Sequence, residues 1–137
     1  MQRALRVYLL VIGAVLLVQG SVSLFLHEGV EADLSGWHGL LTTDDRHAAL
    51  HVVWGAVVLP VAALAGDATL VGLGFVFGAF YVALAILGVV VHDPFGLRLG
   101  FGENAFHWII GPLALVLAFA SSRELQRADG IALPGAK

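Results

Sequence analysis

Four long runs of apolar residues constrain this chain more than any other feature of its sequence. They cover residues 7–26, 48–65, 69–91 and 105–120. Each run is close to the ~20 residues that an α-helix needs to cross a ~30 Å hydrocarbon core. The runs are continuous rather than alternating, which favours helices over the strands of a membrane barrel. The sequence therefore predicts an all-α fold, an integral membrane four-helix bundle.

The composition agrees with a lipid environment. Apolar residues make up 59% of the chain and charged residues 12%, whereas about a quarter of an average soluble domain is charged. The length of 137 residues predicts a single transmembrane domain covering 1–137. Seven basic residues and a net charge of −3 argue against a nucleic-acid partner. The absence of cysteine excludes disulfides and thiolate metal sites.

The distribution of basic residues predicts the orientation in the membrane. Five of them lie at the two ends of the chain and two lie in the opposite loops: Arg3, Arg6, Arg123, Arg127 and Lys137 against Arg46 and Arg98. Because basic residues favour the cytoplasmic side, both termini should be cytoplasmic, with 123–137 as a polar cytoplasmic tail. A bacterial inner-membrane location is expected. The length of the first run favours an uncleaved helix over a signal peptide.

The two halves of the chain share a pattern of spaced histidines and glycines. His27 and His92 each end an odd-numbered run, and a glycine precedes each by 14 residues; His51 and His107 each precede a glycine by four residues. These landmarks predict two tandem helical hairpins, formed by about residues 1–65 and 66–122. Each unit crosses the membrane twice, so the pseudo-twofold axis should lie along the membrane normal.

Two segments of the chain, 39–55 and 96–111, resemble the family DUF4383, short bacterial four-helix membrane proteins of unknown function. The shared pattern is a loop that ends in an Asn- or His-containing segment and is followed by a histidine and a glycine-bearing helix. The second half fits this pattern through Asn104, whereas the first half has Ala48 there, next to His47. The resemblance implies a four-helix membrane fold and no particular activity.

Four polar residues form two helical pairs. His47 and His51 are four residues apart, as are Glu103 and His107, so each pair shares one helix face. Imidazole and carboxylate groups suit divalent zinc, copper, iron or nickel. The predicted metal ligands are therefore His47, His51, Glu103 and His107, with His27 and His92 as further candidates.

Other roles for the same histidines stay open. His51 and His107 could be the two axial ligands of a haem b, or part of a rim that handles protons and a quinone headgroup. They could also serve only as hydrogen-bonding groups of the bundle.

Two function classes follow from these patterns. We expect a non-catalytic accessory or structural subunit that packs against a larger membrane complex or forms a homo-oligomer. Gly74 and Gly78 are spaced to form a close-packing helix face for another helix of the chain or for a partner. The alternative is a haem- or metal-binding membrane protein or a quinone-handling site. No nucleophile-and-base motif surrounds the serines, which argues against an enzyme.

Overall fold

A computed structural model describes residues 1–26, 44–91, 94–128 and 130. These residues form four α-helices and one 3₁₀ turn: α1 (Gln2–Leu26), α2 (Asp45–Leu64), α3 (Asp67–Val90), the turn Pro94–Gly96, and α4 (Phe101–Ala128). The described residues contain no strand. All four α-helices are long and apolar enough to cross a membrane. The prediction of an all-helical chain with four membrane-length helices is confirmed.

The helices extend beyond the apolar runs. α1 begins at Gln2 rather than at residue 7, α2 begins at Asp45 rather than 48, and α4 covers Phe101–Ala128 rather than 105–120. An apolar run counts only hydrophobic residues, whereas Arg, Glu and Gln have high helix propensity and continue the backbone hydrogen bonding. Residues 123–128, predicted to belong to the polar tail, therefore form the last turns of α4.

The helices pack as two antiparallel hairpins. α1 lies mainly against α2 and α3 against α4, with fewer contacts between the hairpins. Each hairpin has a glycine pair at its crossing. A Cβ atom on Gly55 would lie 2.8 Å from the carbonyl oxygen of Gly13, and one on Gly111 would lie 3.1 Å from that of Gly78. Only glycine permits two backbones to approach this closely.

The predicted packing face on α3 contacts helices of the same chain. A Cβ atom on Gly74 would lie 3.0 Å from the Cβ of Ala118, and one on Gly78 would lie 2.9 Å from the carbonyl oxygen of Gly111. Both neighbours belong to α4. This face is therefore occupied within the bundle.

An arginine joins α1 to the connection between the hairpins. The guanidinium of Arg6 donates to the carbonyl oxygens of Ala62 and Ala65, at 2.6 and 3.0 Å, and to Asp67 Oδ1 at 3.1 Å. These carbonyls lie at the C-terminal end of α2, where backbone acceptors lack a helical partner. Arg6 therefore satisfies the end of α2 and holds the short turn into α3.

The core lies between the hairpins, and large apolar side chains also cover the outside. The buried core consists of Leu5, Leu9, Ile12, Leu16, Val58, Ala62, Leu70, Val71, Phe77, Tyr81, Ile110, Ala114 and Ala118. One valine on each helix is about 60% exposed: Val18, Val53, Val76 and Val116. An apolar exterior of this extent is unusual for a monomeric soluble protein.

Candidate metal centre

The N-terminus of α2 is fixed by a side-chain cap. Asp44 Oδ1 accepts the backbone N–H groups of Arg46 and His47, at 3.1 and 3.2 Å, as an N-cap residue does. Its other oxygen accepts the N–H of Arg98 at 2.9 Å, in the segment that leads into α4. Asp44 therefore holds the first turn of α2, which carries His47, against the beginning of the second hairpin's last helix.

The first turn of α4 is fixed by Glu103. Its Oε2 atom accepts the N–H of Gly100 at 3.1 Å, the contact that the acidic residue of a capping box makes. Its Oε1 atom lies 3.3 Å from Nδ1 of His47 on the other hairpin. Only 2% of Glu103 is exposed. The carboxylate therefore caps its own helix with one oxygen and faces a histidine with the other.

Three buried imidazoles converge between the N-terminal turns of α2 and α4. His47 and His107 are fully buried and His51 is 3% exposed. The ring centroids lie 4.5 Å apart for His47 and His51, 5.3 Å for His47 and His107, and 6.3 Å for His51 and His107. One ring nitrogen from each residue can be chosen so that all three lie within 4.8 Å of one another. This arrangement is a potential metal site.

One side chain orients an imidazole through Nδ1, and a carboxylate faces Nδ1 of another. Gln19 Oε1 lies 2.5 Å from Nδ1 of His51, so this amide oxygen accepts the proton on Nδ1. Glu103 Oε1 lies 3.3 Å from Nδ1 of His47, but the two atoms do not form a hydrogen bond. A histidine that donates through one nitrogen presents the lone pair of the other, which is the arrangement that metal-binding histidines use. His51 is therefore held with Nε2 available as a ligand atom, while neither ring nitrogen of His47 has a hydrogen-bond partner in the described residues.

Several buried nitrogens of the cluster have no hydrogen-bond partner in the described part of the chain. They are both ring nitrogens of His47, Nε2 of His51 and both ring nitrogens of His107. A buried polar atom without a partner costs about 1–3 kcal/mol. Because three rings have such atoms at one place, a bound cation that accepts their lone pairs would remove several of these costs together.

A cavity of about 220 Å³ adjoins the cluster between α1 and α4. Its walls come from three helices: Val15, Leu16 and Gln19 of α1, His51 of α2, and Glu103, Phe106 and His107 of α4. Two of the three clustered histidines therefore face this space. The polar groups lie together and the remaining walls are apolar.

The structure brings four sequence-predicted residues together. His47, His51 and His107 form the cluster, and Glu103 contacts it through His47. Glu103 does not belong to the group of three whose ligand atoms all lie within 4.8 Å. The other two candidates, His27 and His92, lie outside the described residues.

The sequence patterns missed two neighbours of the cluster. Gln19 is the one amide side chain in the apolar run 7–26, and that isolation was the available signal. Tyr81 is fully buried, its ring lies 5.2 Å from that of His107, and its hydroxyl has no hydrogen-bond partner among the described residues. It is one of several aromatic residues in the core, so no sequence feature marked it.

No family model, curated protein or solved structure was found to match this chain. The resemblance to DUF4383 therefore stays a prediction carried by the two segments named above.

Proposed function

We propose that this chain is a metal-binding integral membrane protein that holds one divalent transition-metal ion between its two hairpins. His47, His51 and His107 supply the ligands. The proposal depends on the convergence of three buried imidazoles. Each of these rings has at least one nitrogen without a hydrogen-bond partner in the described residues. Neutral imidazole is the usual protein ligand for zinc and suits copper, iron and nickel as well.

The distances are compatible with a single ion after a small adjustment. Zinc–nitrogen bonds of ~2.1 Å in a tetrahedral site place the ligand nitrogens ~3.4 Å apart. The present separations reach up to 4.8 Å, so the rings must close by roughly 1.5 Å at most. Rotation about side-chain bonds supplies a movement of this size without moving the helices.

Glu103 fits the role of an orienting group better than that of a ligand. One of its oxygens is engaged by the N–H of Gly100 and the other faces Nδ1 of His47. A carboxylate behind a histidine raises the basicity of the ligand nitrogen and fixes the ring. Three imidazoles would leave a fourth coordination position open, as in catalytic zinc sites.

A haem fits this arrangement less well than an ion. A porphyrin bound by His51 and His107 has to lie between the two rings. The His47 ring is nearer to each of them, at 4.5 and 5.3 Å, than they are to each other, at 6.3 Å. His47 therefore occupies the space that the macrocycle needs.

Membrane insertion and the duplicated hairpin belong to the same proposal. Support for insertion comes from the four membrane-length helices and the exposed valines on each. Support for duplication comes from the equivalent glycine pairs, Gly13 with Gly55 and Gly78 with Gly111. In this proposal the termini are cytoplasmic, the protein lies in a bacterial inner membrane, and the metal lies toward the opposite side.

An accessory role in a larger complex is the weaker candidate. The glycine face expected to dock a partner is filled by α4 of the same chain, through Ala118 and Gly111. No other feature of the described residues distinguishes a protein-facing surface from a lipid-facing one.

Elemental analysis of the protein purified in mild detergent tests the metal proposal. We expect about one equivalent of a divalent transition metal per chain after supplementation and removal of loosely bound ions. His51→Ala and His107→Ala should each lose it, whereas His38→Ala, which removes a histidine that is not among the predicted ligands, should retain it. Equal metal content in all four proteins, or none in the wild type, contradicts the proposal.

A further inference from the structure

The cavity beside the histidines has one polar end and an otherwise apolar lining. We infer that it binds a neutral, lipid-soluble molecule with a single ring that carries an oxygen substituent, the chemistry of a quinone or quinol headgroup. The ring lies between α1 and α4 and its oxygen points toward His51 and His107. This inference rests on the proposed metal for its polar anchor, and on the cavity for the ring.

The volume of the cavity limits the size of the ligand. A dry cavity of ~150 Å³ accepts benzene, whereas pockets for drug-sized molecules begin at ~300 Å³. The cavity here measures about 220 Å³. One six-membered ring with small substituents therefore fits, while a fused ring system or an attached tail has to remain outside.

The lining selects the polarity of the ligand. Val15, Leu16 and Phe106 offer apolar contact to the body of a ring, and His51 and His107 stand at the polar end. A buried charge without a partner is strongly disfavoured. The proposed metal dication repels a cation, and the apolar walls formed by Val15, Leu16 and Phe106 offer no partner to a charged ring, so a neutral ring with a lone-pair oxygen is the matching ligand.

The position of the cavity selects the route of entry. Val15 lines the cavity and is 45% exposed on the outside of the bundle. A helix surface that is exposed in this apolar part of the chain faces lipid in the proposed membrane placement. A molecule dissolved in the bilayer therefore reaches the histidines sideways, between α1 and α4.

Equilibrium dialysis with duroquinone as the probe tests the pocket. Val15→Phe adds a ring to the cavity wall and should weaken binding by tenfold or more. Val11→Phe is the matched control, because Val11 is 58% exposed, lies one turn earlier on α1 and does not line the cavity. Val11→Phe should bind as the wild type does. No binding to the wild type, or equal binding to wild type and Val15→Phe, overturns the inference.

The same samples separate this inference from the proposed metal site. In cobalt-substituted protein, duroquinone should shift the visible cobalt bands of the wild type and not those of Val15→Phe. Binding that Val15→Phe removes but that leaves the cobalt bands unchanged overturns the placement of the oxygen at the histidines. If elemental analysis finds no bound metal while binding stays sensitive to Val15→Phe, the metal proposal fails and the ring pocket stands.

Discussion

Glu103 Oε1 lies 3.3 Å from His47 Nδ1, across the boundary between the two hairpins. The two residues occupy equivalent positions, each four residues before the histidine that completes its pair. Glu103 also caps α4 through the N–H of Gly100. The contact therefore connects the geometry of a helix N-terminus to the orientation of a proposed metal ligand on another helix.

Glu103→Gln tests this connection. The amide oxygen can still accept the N–H of Gly100, so the fold should be retained, while the negative charge that faces His47 is lost. Loss of such an orienting partner typically lowers metal affinity about 10- to 100-fold. We expect that decrease in a competition titration with a chelating dye, together with an unchanged melting temperature. Wild-type affinity in Glu103→Gln would exclude the orienting role.

Asp44→Ala tests the cap that holds the first turn of α2. The substitution removes acceptors for the N–H groups of Arg46, His47 and Arg98. Loss of an N-cap costs about 1–2 kcal/mol. The variant should melt at a lower temperature and bind metal more weakly, because His47 lies in the turn that loosens. Asp44→Asn keeps a capping oxygen, so its melting temperature and its metal affinity should lie between those of the wild type and those of Asp44→Ala. If Asp44→Ala melts and binds metal as the wild type does, the cap does not position His47.

A pair of glycines on α3 tests the close packing of the second hairpin. In Gly78→Ala the new Cβ would lie 2.9 Å from the carbonyl oxygen of Gly111, so the backbones must separate. Overpacking of this kind costs about 1–3 kcal/mol. Gly72→Ala is the control, since nothing lies within 4 Å of its Cβ and alanine favours the helix. Thermal unfolding in detergent should show a lower melting temperature for Gly78→Ala and no decrease for Gly72→Ala. Equal melting temperatures would contradict the close packing.

Arg6→Ala tests the connection between α1 and the end of α2. The variant leaves the carbonyl oxygens of Ala62 and Ala65 without their arginine donor and removes the ion pair with Asp67. Because Arg6 is partly exposed, we expect the free energy of unfolding to fall by only about 1–2 kcal/mol. Arg3→Ala removes the same charge from an exposed position on the same helix. A chemical-denaturation midpoint that falls for Arg6→Ala alone agrees with this account, and equal midpoints oppose it.

The sequence predicted the parts of the site that depend on regular spacing. His47 and His51 share a helix face because they are four residues apart, and Glu103 and His107 do so for the same reason. Hydrophobic length predicted the four helices. These features follow from local periodicity, which the sequence carries directly.

Contacts between helices that are distant in sequence could not be predicted in this way. Gln19 reaches His51 because α1 and α2 cross closely near their glycines, and periodicity does not give the rotation of one helix about another. Asp44 caps α2 through contacts within four residues of sequence, but its bond to Arg98 depends on how the hairpins meet. The cavity is likewise a property of the gap between α1 and α4, which no single segment encodes.

X-ray absorption spectroscopy of the zinc-loaded protein tests the central claim most directly, because it reports which atoms surround the metal. We predict three imidazole nitrogens at ~2.0–2.1 Å with the outer-shell scattering of imidazole rings, and a loss of the bound zinc in His47→Ala, as in His51→Ala and His107→Ala. A shell of oxygen atoms without imidazole scattering, unchanged by His47→Ala, would contradict a metal held by His47, His51 and His107.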